Sequence, residues 1–154
     1  MKLSMKTDYA LRAIFTLVEF YGEKPIPIRE LARRNEIPKR FLEQILLQMK
    51  ERGWVDSLPG KVGGYRLARD PSKITMGEIV RHFEEVLAPI HCVSVAGYKR
   101  CSQEPVCRFR RLMLNVRHVV ATMMDGTTLA AVYKGLPVTN EEVFSEPLVE
   151  GAGI

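Results

Sequence analysis

The stretch PKRFLEQILLQMKERGWVDSLPGKVGGYRL, residues 38–67, decides the fold of this chain of 154 residues. In its first half, apolar residues recur at gaps of three and four, which predicts an amphipathic helix over 38–52. The apolar stripe consists of Phe41, Leu42, Ile45, Leu46 and Met49. Pro38 suits the first position of such a helix, and Gly53 is the residue type that most often ends one.

The second half of the stretch predicts a β-hairpin, because two short candidate strands, 54–58 and 65–67, flank a Gly-rich turn. Thr7 or Asp8 is expected to cap the first helix of the chain. Periodicity and capping residues predict further helices over 7–21, 28–34, 75–83, 105–124 and 128–134. Helix, short helix, helix and hairpin is the order of a winged helix-turn-helix. The predicted fold class is therefore mainly α with a small β-hairpin wing.

Composition limits the class of protein. The chain is 46% apolar and 27% charged, as in globular domains with a core, and its length suits one domain. No apolar run reaches the roughly 18–20 residues of a membrane span, so no membrane partner is expected. The N-terminus has no apolar block followed by a small-residue cleavage site, and the expected location is the cytoplasm.

Charge is distributed unevenly along the sequence. Residues 1–81 carry 16 basic and 10 acidic side chains, whereas residues 82–154 carry 7 and 8. A basic N-terminal half favours a polyanionic partner, with nucleic acid ahead of a membrane surface. An ordinary helical domain with solvated charges remains the alternative, and RNA is disfavoured because no aromatic base-stacking strand is evident.

The helix 38–52 is the predicted reader of double-stranded DNA, because the major groove admits one helix. Glutamine pairs with adenine, arginine with guanine, and glutamate accepts from cytosine. The hairpin would bring a cation and a close backbone approach to phosphate, and the short helix before the reader would hold phosphates. The candidate DNA-binding residues are Lys39, Arg40, Glu43 and Gln44 on the reader, Gly60, Lys61, Gly63 and Gly64 on the wing, and Arg29 and Arg33 on the short helix.

Three cysteines, Cys92, Cys101 and Cys107, lie in or beside a loop without periodicity. An odd number in a reducing compartment argues against a disulfide framework, and three thiolates in 16 residues can converge on one metal centre. Arginines nearby (Arg108, Arg110, Arg111) favour thiolates. An iron–sulfur cluster is the preferred interpretation, with thiol redox sensing, zinc or no role as alternatives. Candidates for a fourth ligand are His91, His118 and Asp8, whereas His82 is expected on the surface.

Several motifs together resemble the Rrf2 family of bacterial winged-helix regulators, over roughly residues 1–136. They are MKLS…TDYALRA at the start, FLEQIL in the reader, G…GGYRL in the wing, the cysteine loop, and TTLA at 127–130. The resemblance implies a homodimer in which helix 105–124 packs against its partner, and operator binding through reader and wing. It also implies, in some branches, a cluster on three cysteines that controls binding. A cysteine-metabolism branch lacks the cluster.

Residue by residue, the resemblance maps Cys92, Cys101 and Cys107 onto the cluster thiols. One branch has a histidine ligand where this chain has Arg110. In another, an aspartate within Thr-Asp-Tyr ligates the cluster of the other subunit, so the resemblance implies Asp8 of the partner subunit as fourth ligand. The cluster type, 4Fe-4S or 2Fe-2S, stays open. In the wing, the arginine common before the first glycine is replaced by Pro59.

These observations predict a homodimeric, DNA-binding transcriptional regulator controlled by iron–sulfur status, redox state or nitric oxide. The expected units are a DNA-binding domain (1–84), a cysteine loop (85–107), a dimerisation helix with a short last helix (105–136) and a mobile acidic tail (137–154). A clusterless regulator that responds through thiol oxidation or a partner protein is the first alternative. A thiol peroxidase and a protein-binding adaptor are the others, but no motif supports catalysis or a small-molecule substrate.

Overall fold

A computed structural model describes residues 2–84 and 87–145. It contains α1 (Met5–Glu19), α2 (Ile28–Asn35), α3 (Lys39–Glu51), β1 (Val55–Leu58), β2 (Gly64–Leu67), a 3₁₀ turn (Pro71–Lys73), α4 (Met76–Phe83), a second 3₁₀ turn (His91–Val93), α5 (Arg110–Gly126), α6 (Leu129–Lys134) and α7 (Asn140–Ser145). The two strands form an antiparallel hairpin. The predicted fold class, mainly α with a hairpin wing, is confirmed.

Helix α3 packs against α1 and α2 through one apolar face. Its buried residues are Leu42, Ile45, Leu46 and Met49. Phe41 was predicted in this stripe but is 63% exposed, so that part of the prediction is wrong. Each residue turns the helix by about 100°, which carries Phe41 past the edge of the buried face that Leu42 occupies.

The start of α1 also differs from the prediction. Ser4, rather than Thr7 or Asp8, is the N-cap, and its hydroxyl accepts the backbone N–H of Thr7 at 3.2 Å. The Asp8 carboxylate lies one turn further on and pairs with the guanidinium of Arg12 at 2.7 Å. The Ser4 backbone N–H donates to the carboxylate of Glu84 at 2.6 Å, which fixes the end of α4 beside the start of α1.

The wing is tied to the rest of the domain at its second strand. Val55 pairs with Leu67 and Leu58 with Gly64 across the hairpin. Ile26 forms a bridge with Tyr65, with both N–H···O distances at 2.9 Å. A third strand-like segment, directly before α2, therefore extends the sheet by one pair and joins the wing to the helix-turn-helix.

Helix α5 begins at Arg110, not at residue 105 as predicted. Residues 101–109 form turns instead, in which Glu104 N–H donates to the Cys101 carbonyl and Val106 N–H to that of Gln103. Cys107 consequently lies before the helix. No residue of α5 is fully buried.

After α5 the chain returns to the first domain. Leu129, at the start of α6, is completely buried in the same core as α1 and α3. Thr75 and Thr128 form a bridge, in which Met76 N–H donates to Thr127 (2.8 Å) and Leu129 N–H to Ile74 (2.9 Å). In the predicted tail, 140–145 form the exposed helix α7, and 146–154 lie outside the described residues.

His82 was expected on the surface, but it is half-buried beside Trp54 and Phe83, with ring centroids at 5.3 and 4.9 Å. Its Nε2 atom is buried and has no hydrogen-bond partner among the described residues. Burial lowers the pKa of His82, and the cations Arg52 and Lys6 lower it further against the opposing charge of Glu51. The fold therefore favours the neutral imidazole.

The stability of the protein should fall as the pH drops below about 6.5, the ordinary pKa of histidine. Because the folded-state pKa is depressed, the unfolded chain binds the proton more readily, so the free energy of unfolding decreases through this window. His82→Phe should flatten the dependence of the melting temperature on pH between 7 and 5. His118→Gln, a change at an exposed position of α5, is the control. An unchanged slope in His82→Phe would contradict the assignment.

Candidate functional site

The predicted reader residues share one exposed side of α3. Lys39, Arg40, Glu43 and Gln44 are all exposed. Lys39 Nζ lies 3.4 Å from Glu43 Oε1, an i, i+4 ion pair along the helix surface. Arg40 and Gln44 are exposed on the same side of the helix, so their side chains are accessible to a ligand.

The two arginines assigned to α2 have different surroundings. Arg29 is exposed near the helix start, beside the wing. Arg33 instead makes two bonds to Glu30, at 2.8 and 3.0 Å, and Glu30 also accepts from Arg34 at 2.7 Å. Hydrogen bonds from Arg33 and then Arg34 lower the pKa of Glu30 to about 2. A phosphate bound by Arg33 would have to compete with this carboxylate.

A cleft of about 640 Å³ separates the start of α2 from the wing. Three cations border it: Arg29, Lys50 and Lys61. Sequence reasoning missed Lys50, whose Nζ donates to Ser57 Oγ at 2.6 Å and so points from the end of α3 toward β1. Only the hairpin geometry brings it beside the other two. The cleft has the charge and size to lie along a phosphate backbone.

The wing glycines have reasons of their own for lacking a side chain. A Cβ at Gly63 would lie 2.2 Å from the Leu58 carbonyl oxygen, and one at Gly64 would lie 2.2 Å from that of Ile26. Gly60 has a φ of +104°, which disfavours any other residue. Close packing at Gly63 and Gly64 and the positive φ of Gly60 thus account for these glycines without a ligand.

All three cysteines border one cavity of about 480 Å³ before α5. The three are free thiols. Cys92 and Cys107 are half-buried and Cys101 is exposed. His91 and Glu104 line the same cavity. Among residues 2–84 and 87–145, however, no three histidine, cysteine or acidic side chains lie close enough together to hold a metal ion.

Glu104 organises the loop between the cysteines. Its carboxylate accepts from the hydroxyl of Tyr98 at 3.0 and 3.1 Å and from the backbone N–H of Cys101 at 3.0 Å. It also lies 3.4 Å from the guanidinium of Arg110. The hydrogen bond from the Cys101 N–H is the main cause that lowers the pKa of Glu104. Burial acts against it, whereas Tyr98 and Arg110 lower the pKa further. The same carboxylate raises the pKa of Tyr98.

Two arginines of α5 hold the first cysteine in place. Arg110 donates to the Cys92 carbonyl at 2.9 and 3.3 Å, and Arg117 to the Val93 carbonyl at 2.7 Å. The two arginines are seven residues apart and therefore lie on one face of the helix. The turn that carries Cys92 is in this way fixed to α5, and through Glu104 the segment at Cys101 is joined to the same guanidinium.

Each predicted fourth ligand has a partner within the chain. His91 Nδ1 lies 3.2 Å from the Gly97 carbonyl, and Arg117 donates to His118 Nε2 at 2.6 Å. Asp8 pairs with Arg12 on α1 and does not line the cysteine cavity. Within one subunit, His91 is the candidate that borders the same cavity as the three thiols.

Arg110→Ala should increase the rate at which the Cys92 thiol reacts with iodoacetamide several-fold. The substitution removes the bonds that hold the Cys92 carbonyl and the ion pair to Glu104, so the loop opens more often. Mass spectrometry after timed alkylation measures the rate at each cysteine. Arg108→Ala, a loss of the same charge at an exposed neighbouring position, is the control. Equal Cys92 rates in the two variants would contradict the role of Arg110.

The other side of α5 is apolar and unpartnered in the described chain. Exposed on it are Phe109, Leu112, Val116, Val119 and Met123. Spacings of three and four place these residues along one stripe. A stripe of this length has the composition of a surface that a second protein covers.

The sequence model of the Rrf2 family, described as iron-dependent transcriptional regulator, matches residues 3–135. The chain belongs to the Rrf2 family. It is 35% identical over 133 residues to an rrf2-like HTH-type transcriptional regulator of Rhodobacter capsulatus, which covers 82% of this chain and 89% of that protein. It is 32% identical over 130 residues to the HTH-type transcriptional regulator NsrR of Geobacillus kaustophilus. This match covers 84% of this chain and 88% of that protein.

Solved structures agree with this assignment. CymR, the global cysteine regulator of Bacillus subtilis, superposes with a TM-score of 0.74 at 29% identity, over 89% of this chain and 99% of that one. The protein is thus an Rrf2-family helix-turn-helix transcriptional regulator that binds DNA, and it is not an enzyme. No helix in the part of the chain that the structure describes is long and apolar enough to cross a membrane.

Proposed function

We propose that this Rrf2-family protein is a homodimer that binds an operator through α3 and the wing and is controlled by an iron–sulfur cluster in its cysteine loop. One observation carries the proposal: all three cysteines border a single cavity whose walls are bonded to α5. A change in the loop therefore acts on the helix that carries the unpartnered apolar stripe. The protein would work in the cytoplasm, where the DNA is.

Two considerations support a dimer: the exposed apolar stripe on α5, and the short stretch of DNA that one reader helix can contact. One reader helix contacts only a few base pairs, and two related by a twofold axis contact half-sites about one turn of DNA apart. Packing α5 against its copy would cover the stripe and set the distance between the two α3 helices. In this proposal Arg40, Glu43 and Gln44 contact bases. Arg29, Lys39, Lys50, Lys61 and, after release from Glu30, Arg33 contact phosphates.

The donors of the loop suit an iron–sulfur cluster in kind. Cys92, Cys101 and Cys107 would supply thiolates, and Asp8 of the partner subunit is the proposed fourth ligand. Arg110 and Arg111 lie on the same side of the loop and would offset the negative charge of a thiolate-bound centre. Because the thiols do not converge in the described chain, holding the cluster requires the loop to tighten around the cavity. The cluster would supply sensitivity to oxidants and to nitric oxide.

A clusterless regulator that responds through its thiols is the second candidate. The exposure of Cys101 favours it, because an accessible thiol can be oxidised without any cofactor. The likeness to the cysteine regulator CymR points the same way. In this version, oxidation of a thiol would change the conformation of the loop. The contacts of Glu104 and Arg110 would transmit that change to α5.

Purification without oxygen separates the two candidates. The cluster proposal expects a coloured protein with iron and acid-labile sulfide in the wild type, and a colourless Cys92→Ala variant. Ser102→Ala, an exposed change in the same loop, should keep the colour. A colourless wild type whose operator affinity changes reversibly with a thiol oxidant would support the clusterless regulator and overturn control by a cluster.

Binding to DNA is tested by selecting duplexes from a random library. Lys61→Gln should weaken binding to all sequences and reduce the slope of log affinity against log salt by about one, as expected for one lost phosphate contact. Gln44→Ala should instead cost about 1–3 kcal/mol and relax the sequence preference at one base pair. Enrichment of no duplex would overturn the proposed function.

A further inference from the structure

We propose that Phe41 reads the methyl group of a thymine in the operator, and so determines part of the sequence specificity. The inference rests on the proposed binding of DNA by α3. It begins from an exposed aromatic residue in that helix: Phe41 is 63% exposed, although phenylalanine is among the residue types most often buried. The buried face of α3 is complete without it, from Leu42 to Met49.

Phe41 lies where a reader helix contacts bases. It belongs to the first turn of α3, which starts at Lys39, and the N-terminal residues of a recognition helix are those that meet base edges. Gln44 is three residues further on, so the two side chains are neighbours on the helix surface. Gln44 is also exposed. An aromatic ring thus stands beside the amide that pairs best with adenine.

The surroundings of Phe41 select the partner it contacts. Lys39 and Arg40 precede it directly and are exposed, and Lys61 is exposed on the wing. A polyanion complements this charge better than the apolar pocket of another protein would. In the major groove, base edges offer hydrogen-bonding groups and one apolar group, the C5 methyl of thymine. That methyl group is the chemistry that an exposed phenylalanine can recognise there.

The position of Gln44 also restricts which thymine is read. Side chains three residues apart on a helix are separated by about 5–6 Å, which is less than two base-pair steps. The thymine should therefore belong to the base pair that Gln44 reads or to one within two positions of it. Each half-site of the operator should contain an A·T-rich step at this place.

The test uses full-length protein and duplexes selected from a random library, in which each thymine of a half-site is replaced by uracil in turn. Uracil pairs as thymine does but lacks the methyl group. Burying one such group is worth about fourfold in affinity, so one uracil duplex should bind wild type about fourfold more weakly. Phe41→Ala should bind the thymine and uracil duplexes equally. Phe41→Leu keeps an apolar but smaller side chain, and should show a smaller difference in affinity between the thymine and uracil duplexes.

Leu47→Ala is the matched control, since Leu47 is another exposed apolar residue of α3, half a dozen positions further on. It should keep the fourfold difference. Circular dichroism and the melting temperature establish that each variant is folded. If selected duplexes bind wild type but no uracil substitution weakens binding, the inference about Phe41 is overturned while the proposed function stands. If no duplex is selected, the proposed function itself fails.

Discussion

Val119→Asp is expected to make the protein monomeric and to lower its affinity for a two-half-site operator by a factor of 100 or more. Val119 is 60% exposed in the middle of the apolar stripe of α5. A carboxylate there would have to be buried against apolar side chains of the second subunit, which costs several kcal/mol without a partner charge. Two linked reading units gain about 10²–10⁴ in affinity over one, and the monomer loses that gain.

Sedimentation velocity and fluorescence anisotropy with a labelled operator measure the two effects of Val119→Asp. His118→Asp is the control, because it places the same charge on α5 about 100° around the helix and at another exposed position. The control should remain dimeric. A dimeric Val119→Asp protein with wild-type affinity would show that the subunits meet through another surface, and would remove the proposed route from the cysteine loop to the reader spacing.

Gly64→Ala is expected to lower the melting temperature by about 10 °C and to weaken binding to every duplex. The added Cβ would lie 2.2 Å from the carbonyl oxygen of Ile26 and 2.4 Å from its carbonyl carbon. Backbone atoms cannot turn aside as a side chain can, so the bridge between Ile26 and Tyr65 must open. Two lost hydrogen bonds and the displaced strand cost about 3 kcal/mol, which corresponds to that shift for a protein of this size.

Gly126→Ala provides the comparison for Gly64→Ala, because nothing lies within 4 Å of the Cβ it would add. Its melting temperature should stay within about 2 °C of the wild type. Differential scanning calorimetry measures both variants. Equal stabilities would mean that the wing is not anchored through Ile26, and that its position on the domain depends on the hairpin alone.

The elements near the wing were predictable because their causes are local. Helix α2 was predicted over 28–34 and spans Ile28–Asn35, and α3 lies within the predicted 38–52. Apolar periodicity, Pro38 and Gly53 determine them without help from distant residues. The placement of Phe41 was not predictable in this way, because periodicity gives the direction of a buried face but not its width.

The errors before α5 come from side-chain contacts that exist only in the folded loop. Periodicity continues back through Val106, yet the chain forms turns there, since Glu104 is engaged with Tyr98, Cys101 and Arg110. An acidic residue midway between two cysteines and an arginine soon after them were visible in the sequence. Which of them bond to each other depends on the folded loop, and the same holds for Lys50, which reaches the cleft through Ser57.

The return of the chain through Leu129 also governs how the protein is made. The core around α1 and α3 lacks one of its completely buried side chains until residue 129 has been synthesised and has left the ribosome. A premature stop codon within α5 would therefore release a chain whose reading unit is incomplete and exposed to proteases.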